Sequence, residues 1–304
     1  MVTSAEGLKS ESSAYSGLRT GVKHMLLATF FFSLMNAAVK MVAHIPAMEV
    51  VFFRCSIAMC IALVAAQRLK LNWLGSNRKL LILRGTFGTI ALYAFFLSIQ
   101  KMPLATAMTI QYLSPIFTTV IAIFLLGEQV RPLQWLFFLI SFAGAFAIKG
   151  FDTRISFVYL LVGITSAFFS GLAYNMVRSL KEKEHHLVVV LHFQFIGVIA
   201  GFAFSIFNWT IPSRIDWFWL GLTGILAHLG QIHLTKSLHN AQLSSVSVLN
   251  YVGIVYGLLL GYFLFGDTYT IQTIVGIALV VGGVVLSIFY QKRKAVLPVE
   301  ATEA

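Results

Sequence analysis

The sequence predicts an all-α integral membrane protein with ten transmembrane helices, arranged as two inverted repeats of five helices. Three observations lead to this fold class: the composition, the length of the apolar runs and an internal repeat. Of the 304 residues, 58% are hydrophobic and 11% are charged, whereas soluble domains carry about 25% charged residues. The mean hydropathy is +0.85. A soluble core could not bury so much apolar surface, so most of it must face lipid.

Runs of about 20 apolar residues, the length that crosses a bilayer as an α-helix, recur ten times along the chain. The predicted spans are 24–43, 48–67, 79–100, 104–126, 132–149, 155–177, 187–207, 216–238, 242–265 and 271–290. Because four of the loops are very short, neighbouring helices are expected to form antiparallel hairpins. A polar stretch before the first span and nine further spans after it argue against a cleaved secretory signal.

Two features of the first five spans bear on their geometry. Cys55 and Cys60 share the second span at a spacing of five, which places them about 140° apart on a helix, so they cannot pair with each other. Pro115 lies in the fourth span and deprives the carbonyl of Gln111 of its usual donor. A kink or a hinge is therefore expected at this point.

The last five spans carry two stripes of small or polar residues. In the eighth span, one helical face holds Gly221, Gly224, His228, Gln231 and Thr235. In the ninth span, glycines recur every four residues at 253, 257 and 261, and the fourth span has small residues at the equivalent places, 114, 118 and 122. Small residues at this spacing let two helices approach closely, so we interpret the stripes of the ninth and fourth spans as packing surfaces. On the eighth-span face, His228 can bind substrate or carry a proton, or it can be structural.

The second half of the chain repeats the first at an offset of 139 residues. The offset aligns Gly85 with Gly224, Ser98 with Ser237, Leu104 with Leu243, Tyr112 with Tyr251, Phe124-Leu125 with Phe263-Leu264, Gly127 with Gly266 and Gly144 with Gly283. Span boundaries coincide as well, since Gly127-Glu128 falls on Gly266-Asp267. Because five spans is an odd number, the second copy must enter the membrane from the opposite side. Inverted repeats place a substrate site near the bilayer midplane.

Basic residues set the orientation. With the N-terminus in the cytoplasm, fifteen Lys and Arg residues fall in cytoplasmic tails, loops and span ends, against five on the other side. Both termini are therefore expected on the cytoplasmic face of the inner (plasma) membrane. The predicted division is a cytoplasmic tail at 1–21, repeats at 22–149 and 155–290, and a cytoplasmic tail at 291–304. The net charge of +11 is spread over short clusters between apolar runs, which favours a lipid bilayer and not nucleic acid as the partner.

Four stretches resemble the EamA-type branch of the drug/metabolite transporter superfamily. They are RGTFG from Arg84, KMPLATAMTIQYLSPIFTTVIAIFLLGE ending at Glu128, LSSVSVLNYVGIVYGLLLGYFLFGD ending at Asp267, and FFR at Phe52 to Arg54. The resemblance extends over about residues 22 to 290 and implies a ten-helix protein made of two five-helix repeats. It also implies a transported substrate, drawn from amino acids, nucleotide derivatives, organic anions or drugs.

The central candidate site consists of an amide beside a tyrosine in each half. The offset places Gln111-Tyr112 on Asn250-Tyr251, about eight residues into the fourth and ninth spans, or roughly 5 Å from the midplane. Amide and phenol groups can bind a polar cargo while the rings cover its apolar part. The alternative is that these groups form interhelical hydrogen bonds that only hold the bundle together.

Other polar side chains inside the spans complete the candidate lining, because such groups are costly in hydrocarbon. They are His228, Gln231, Asn36, Tyr174, Arg54 and Arg84. Lys40 and other lysines at span ends are expected to reach the interface instead. All eleven acidic residues lie in tails, loops or span ends. A cavity with arginines and no acid should repel cationic drugs and favour zwitterionic or anionic metabolites.

These features predict a secondary transporter that moves a small polar metabolite by alternating access, with an amino acid or derivative favoured and export as the expected direction. The alternative is an exchanger or uptake carrier for a nucleoside-type or organic-anion metabolite, such as S-adenosylmethionine or a carboxylate. An enzyme is disfavoured because the sequence lacks His-Glu-x-x-His and Gly-x-Ser-x-Gly motifs, and a channel because no loop resembles a filter. No catalytic residue, metal or cofactor is expected, and the protein is either a monomer or a homodimer. The cargo, the direction of flux and its coupling stay open.

Overall fold

A computed structural model describes residues 2–127, 130–151, 155–181, 183–240 and 247–295. Within these ranges every regular element is a helix and there is no β-strand. The helices are α1 Val2–Met41, α2 Ala47–Arg68, α3 Arg78–Lys101, α4 Leu104–Gln111, α5 Ser114–Leu126, α6 Pro132–Phe151, α7 Phe157–Leu180, α8 His186–Ser205, α9 Arg214–Asn240, a 3-10 helix Ser247–Tyr251, α10 Val252–Phe265 and α11 Ile271–Ala295. The all-helical class is thus confirmed for the part of the chain that the structure describes.

Eight segments of the described chain are long and apolar enough to cross a membrane. They correspond to the first seven predicted spans and the tenth, with α4 and α5 together forming the segment Leu104–Leu125. Leu249–Phe265, the predicted ninth span, is a shorter apolar helix. Helix α1 begins at Val2, well before its apolar segment Arg19–Met41. The protein is therefore a multi-pass membrane protein.

Local sequence accounts for the ends of several helices. Asn77 and Ser156 each cap a helix, their side chains accepting from the backbone amides of Leu80 and Val158. Gly127 and Gly266 end α5 and α10 in the left-handed region, with φ of 67° and 63°, a conformation that costs glycine little. These two glycines are related by the 139-residue offset. Glu128 and its neighbour at 129 lie outside the described residues.

One predicted span is interrupted near its middle, and another changes helix type at the equivalent position. In the fourth, α4 ends at Gln111 and α5 begins at Ser114, as expected from the donor that Pro115 lacks. In the ninth, the 3-10 helix Ser247–Tyr251 leads directly into α10. An interruption at membrane depth exposes backbone polar groups, which is tolerated only where protein or a cavity covers them.

The helices pack in pairs that join the two halves of the chain. The closest pairs are α1 with α9, α3 with α7, α2 with α8, and α6 with α11. Further contacts join α5 to α7, α1 to α10, α3 to α8, α2 to α9, and α4 to α10. Each predicted span of the first half has a counterpart five spans later. When every span is replaced by its counterpart, the pairs named above give the same set of pairs.

The contact between α6 and α11 shows the same relationship in atomic detail. A Cβ atom added to Gly144 would lie 2.7 Å from the carbonyl oxygen of Gly276, and one added to Gly283 would lie 2.6 Å from that of Phe137. The hydroxyl of Ser141 donates to the carbonyl of Val280 at 3.2 Å. Both glycines thus allow the two backbones to touch.

At both ends of the packed helices α2 and α8, a glutamate carboxylate accepts hydrogen bonds from the backbone of a loop. Glu49, fully buried at the start of α2, accepts from the backbone amide of Thr210, which follows α8, at 3.0 Å. At the other end Glu184, which precedes α8, accepts from the amides of Ser76 and Asn77. Each carboxylate therefore holds a loop of the opposite half of the chain.

Candidate functional site

The two equivalent tyrosines meet where the fourth and ninth predicted spans cross. The ring centroids of Tyr112 and Tyr251 are 4.9 Å apart, with an angle of 47° between the rings. The hydroxyl of Tyr112 donates to the backbone carbonyl of Asn250 at 2.6 Å. The break in the fourth span is thus bonded directly to the 3-10 helix of the ninth, and three of the four predicted central residues come together.

A glycine in α10 creates the space for this contact. A Cβ atom at Gly253 would lie 2.6 Å from the Tyr112 hydroxyl oxygen. One turn further on, Gly257 faces Met108, whose sulfur would lie 2.8 Å from an added Cβ. The carbonyl of Gly253 also accepts from Ser33 of α1, at 3.4 Å. The predicted packing role of the glycine stripe therefore applies where α10 crosses α4.

Gln111 points to a different neighbour, helix α7. Its amide nitrogen donates to the hydroxyl of Ser170 at 2.8 Å, and its amide oxygen accepts from Ser166 at 2.6 Å. Ser166 donates to the carbonyl of Ala91 in α3 as well, at 2.7 Å. In this conformation the Gln111 amide joins α4 to α7 and α3, the interhelical bonding that we considered as the alternative to substrate binding.

Two arginines of the predicted lining lie against one aromatic ring. The guanidinium carbons of Arg54 and Arg84 are 5.4 and 4.6 Å from the ring centroid of Phe193 in α8. Arg54 also donates to the side-chain oxygen of Gln194 at 3.0 Å. The sequence analysis did not single out Phe193 or Gln194. Phe193 is apolar, so the sequence does not distinguish it from its apolar neighbours. Gln194 is a polar residue in an otherwise apolar run and could have been identified as a candidate for that reason.

Tyr174 lies on α7, and 54% of its surface is exposed. Among the described residues, its side chain makes no hydrogen bond or ring contact with the arginine pair or with the tyrosine pair.

The other three predicted residues lie on α1 and α9. Asn36 is 4% exposed, and its side-chain oxygen has no hydrogen-bond partner within the described chain. His228 and Gln231 are half-buried on α9, whose Gly224 packs against Ile57 of α2. None of the hydrogen bonds or ring contacts of the described residues joins these three side chains to the tyrosine pair.

An ion pair that the sequence analysis did not predict lies at the end of the bundle predicted to face outward. The amine of Lys40 lies 2.8 Å from the carboxylate of Asp267 and donates to the carbonyl of Met102 at 3.2 Å. Asp267 also accepts from the first amide of α4, that of Leu104, at 2.9 Å. Lys40 is thus bonded within the protein and does not extend to the interface as expected.

A groove of about 750 Å³ lies at the same end, between α3 and α8. Its walls include Tyr93, Leu97, Ile196 and Phe204, and His44 and Lys101 lie among its polar lining residues. The groove does not include Tyr112 or Tyr251. Within the described residues there is no group of three His, Cys, Asp or Glu side chains that could hold a metal ion.

Comparison with known proteins agrees with this architecture. A protein described as pseudopaline exporter CntI, from Pseudomonas aeruginosa, is 29% identical over 87% of this chain and 94% of its own length. An uncharacterized transporter of Helicobacter pylori is 33% identical over 86% of this chain and 91% of its own length. Human solute carrier family 35 member G1 is 27% identical over 90% of this chain and 81% of its own length.

The fold and the family follow from two further comparisons. One solved crystal structure superimposes with a TM-score of 0.62 over 92% of this chain and 98% of its own, at 16% sequence identity. The sequence model of the EamA-like transporter family matches residues 19–149 and again residues 157–289. The two matches together extend over most of the chain and confirm the resemblance found in the sequence: the protein belongs to the EamA-like transporter family.

Proposed function

We propose that the protein is a secondary transporter that carries a small polar metabolite across the inner membrane by alternating access. The observation that carries this proposal is the bond between Tyr112 and Asn250, which joins the break in the fourth span to the equivalent position of the ninth. Interrupted helices at the junction of two repeats are where carriers bind their cargo. The two tyrosine rings and their hydroxyl groups supply both apolar and polar contacts for such a cargo.

The packing of the helices supports two inverted repeats, residues 22–149 and 155–290. The more extensive contacts between helices are preserved when each predicted span is exchanged with its counterpart, and Gly144 and Gly283 make reciprocal backbone contacts. Two halves with equivalent contacts can rock against each other between two states of similar energy. With both termini in the cytoplasm, the Lys40 and Asp267 pair lies at the outer end and must separate when the carrier opens outward.

Export remains the favoured direction of transport, and an amino acid or derivative remains the favoured cargo. The name of the Pseudomonas aeruginosa relative, an exporter, supports the direction. The alternative, an exchanger or uptake carrier for a nucleoside-type or organic-anion metabolite, gains support from the arginine pair, which suits a cargo with an acidic group.

Counterflow in proteoliposomes tests the proposal. Vesicles containing the purified protein are preloaded with unlabelled metabolite pools and exposed to the same metabolite in labelled form. A carrier should accumulate label transiently above equilibrium, and Tyr112→Ala should abolish the accumulation. Gly221→Ala is a matched control, because nothing lies within 4 Å of a Cβ at that position. Simple equilibration without overshoot for every metabolite class would rule out a carrier.

A further inference from the structure

We infer that Arg54 and Arg84 together bind an acidic group of the cargo, a carboxylate or a phosphate. The inference rests on the proposed function and deepens it. Its basis is two cations that contact one aromatic ring and have no ion-pair partner among the carboxylates of the described residues.

The two arginines have donors that the described part of the protein does not use. Nε of Arg54, and both Nε and Nη1 of Arg84, are buried without a hydrogen-bond partner. Neither guanidinium forms an ion pair with a carboxylate of the described residues. Arg54 is 7% exposed. An unpaired charge in this setting is strongly unfavourable, so it persists where function requires it.

The neighbouring residues hold both guanidinium groups next to one ring. Phe193 provides an aromatic contact for both, at 5.4 and 4.6 Å from its centroid. Gly88, one turn after Arg84, leaves the space that the Arg84 guanidinium occupies, because a Cβ at this position would collide with Nη1 and would lie 2.9 Å from the Phe193 ring. Both cations therefore lie against the same aromatic side chain.

An oxyanion satisfies this arrangement better than any other ligand class. Guanidinium groups bind carboxylates and phosphates through paired hydrogen bonds. A cationic ligand would add to the unbalanced positive charge, and a neutral one would leave it uncompensated.

Thermal unfolding of the purified full chain tests the inference with ligand pairs of matched shape. Succinate is compared with succinamide, glutamate with glutamine, and putrescine serves as a cation of similar length; inorganic phosphate is a further probe. We expect succinate, glutamate or phosphate to raise the melting temperature in a saturable manner, since they bind the folded state. A shift with the carboxylates alone assigns a carboxylate site, and one with phosphate alone a phosphate site.

Substitutions separate a binding role from a structural one. Arg84→Gln should weaken anion binding at least tenfold, yet leave the melting temperature without ligand unchanged or higher, because an uncompensated charge has been removed. Arg84→Lys should keep part of the anion-induced shift, and Gly88→Ala should reduce it while both charges remain. Lys79→Gln, a charge change in the exposed first turn of α3, is the matched control.

Several outcomes would overturn the inference. They are an equal shift with chloride, an unchanged anion-induced shift in Arg84→Gln, a response to succinamide or putrescine that equals the response to succinate, or no response to any anionic probe. Counterflow keeps this result distinct from the proposed function. If a neutral metabolite shows counterflow and Arg84→Gln does not change it, the anion site is refuted and the carrier is retained. If anions bind but no solute shows counterflow, the carrier is refuted and the anion site is retained.

Discussion

The ammonium group of Lys40 lies 2.8 Å from the carboxylate of Asp267, and the two side chains are 13% and 12% exposed. The same carboxylate oxygen accepts from the backbone amide of Leu104 at 2.9 Å. Asp267 directly follows Gly266, the left-handed glycine that ends α10. One carboxylate therefore connects the ends of α1, α4 and α10.

Removing either partner of this pair should destabilise the protein, and the two effects should not be additive. Lys40→Gln leaves the Asp267 carboxylate without its cation, and Asp267→Asn weakens the bonds to both Lys40 and Leu104. We expect each single change to cost about 1–3 kcal/mol, below the range for fully buried pairs. The double variant should cost less than the sum of the two, which a double-mutant cycle on thermal unfolding measures. Strict additivity would show that the two side chains are not coupled.

Gly253→Ala should damage the central site by displacing the Tyr112 hydroxyl. The added Cβ would lie 2.6 Å from that oxygen, and overpacking of this kind costs about 1–3 kcal/mol. Tyr112→Phe removes the oxygen, so the double variant Gly253→Ala with Tyr112→Phe should recover part of the lost melting temperature. If Tyr112→Phe brings no recovery, the contact in the structure is not the cause of the damage.

Alanine at Gly144 and at Gly283 should have closely similar effects. Each added Cβ would collide with the backbone of the opposite helix, at 2.7 and 2.6 Å from a carbonyl oxygen. The expected loss is about 1–3 kcal/mol for each. Gly282→Ala provides the control, because nothing lies within 4 Å of a Cβ there. A large effect at one glycine and none at the other would argue against equivalent contacts in the two halves.

Gln111 offers a way to separate bundle stability from substrate binding. Gln111→Leu removes the bonds to Ser166 and Ser170, and interhelical hydrogen bonds in membranes contribute about 0.6 kcal/mol each, with a maximum near 1.7. We expect a fall in melting temperature of the size that these bonds imply, with transport of the cargo retained. Loss of transport in a fully stable Gln111→Leu protein would instead favour direct contact with cargo. Thermal unfolding and counterflow on the same preparation distinguish the two results.

Much of the fold could be predicted from sequence because its causes are local. Apolar length identifies membrane-crossing helices, and eight such segments appear in the described chain. Pro115 marks the end of α4 because a proline lacks an amide wherever the rest of the chain lies. The 139-residue offset aligns Tyr112 with Tyr251, which indicated that these two positions should meet. Their ring centroids lie 4.9 Å apart.

The partners of polar side chains could not be predicted in the same way. Gln111 and Tyr112 are neighbours in sequence. Gln111 nevertheless bonds to α7, whereas Tyr112 bonds to Asn250, just before α10. Successive residues of a helix point in directions about 100° apart, so their neighbours depend on how helices are placed around them. For the same reason, the sequence pattern did not indicate that Phe193 lies between α2 and α3.

By itself, the sequence determined the membrane class, the family, the break in the fourth span and the lack of acidic residues inside the spans. Hydrophobic length, proline chemistry and composition need no tertiary contact to act. Only the tertiary structure decided that Lys40 meets Asp267 across 227 residues and that Arg54 meets Gln194 across 140. Such pairs depend on the packing of apolar helix surfaces, which many residues specify jointly and no single motif reveals.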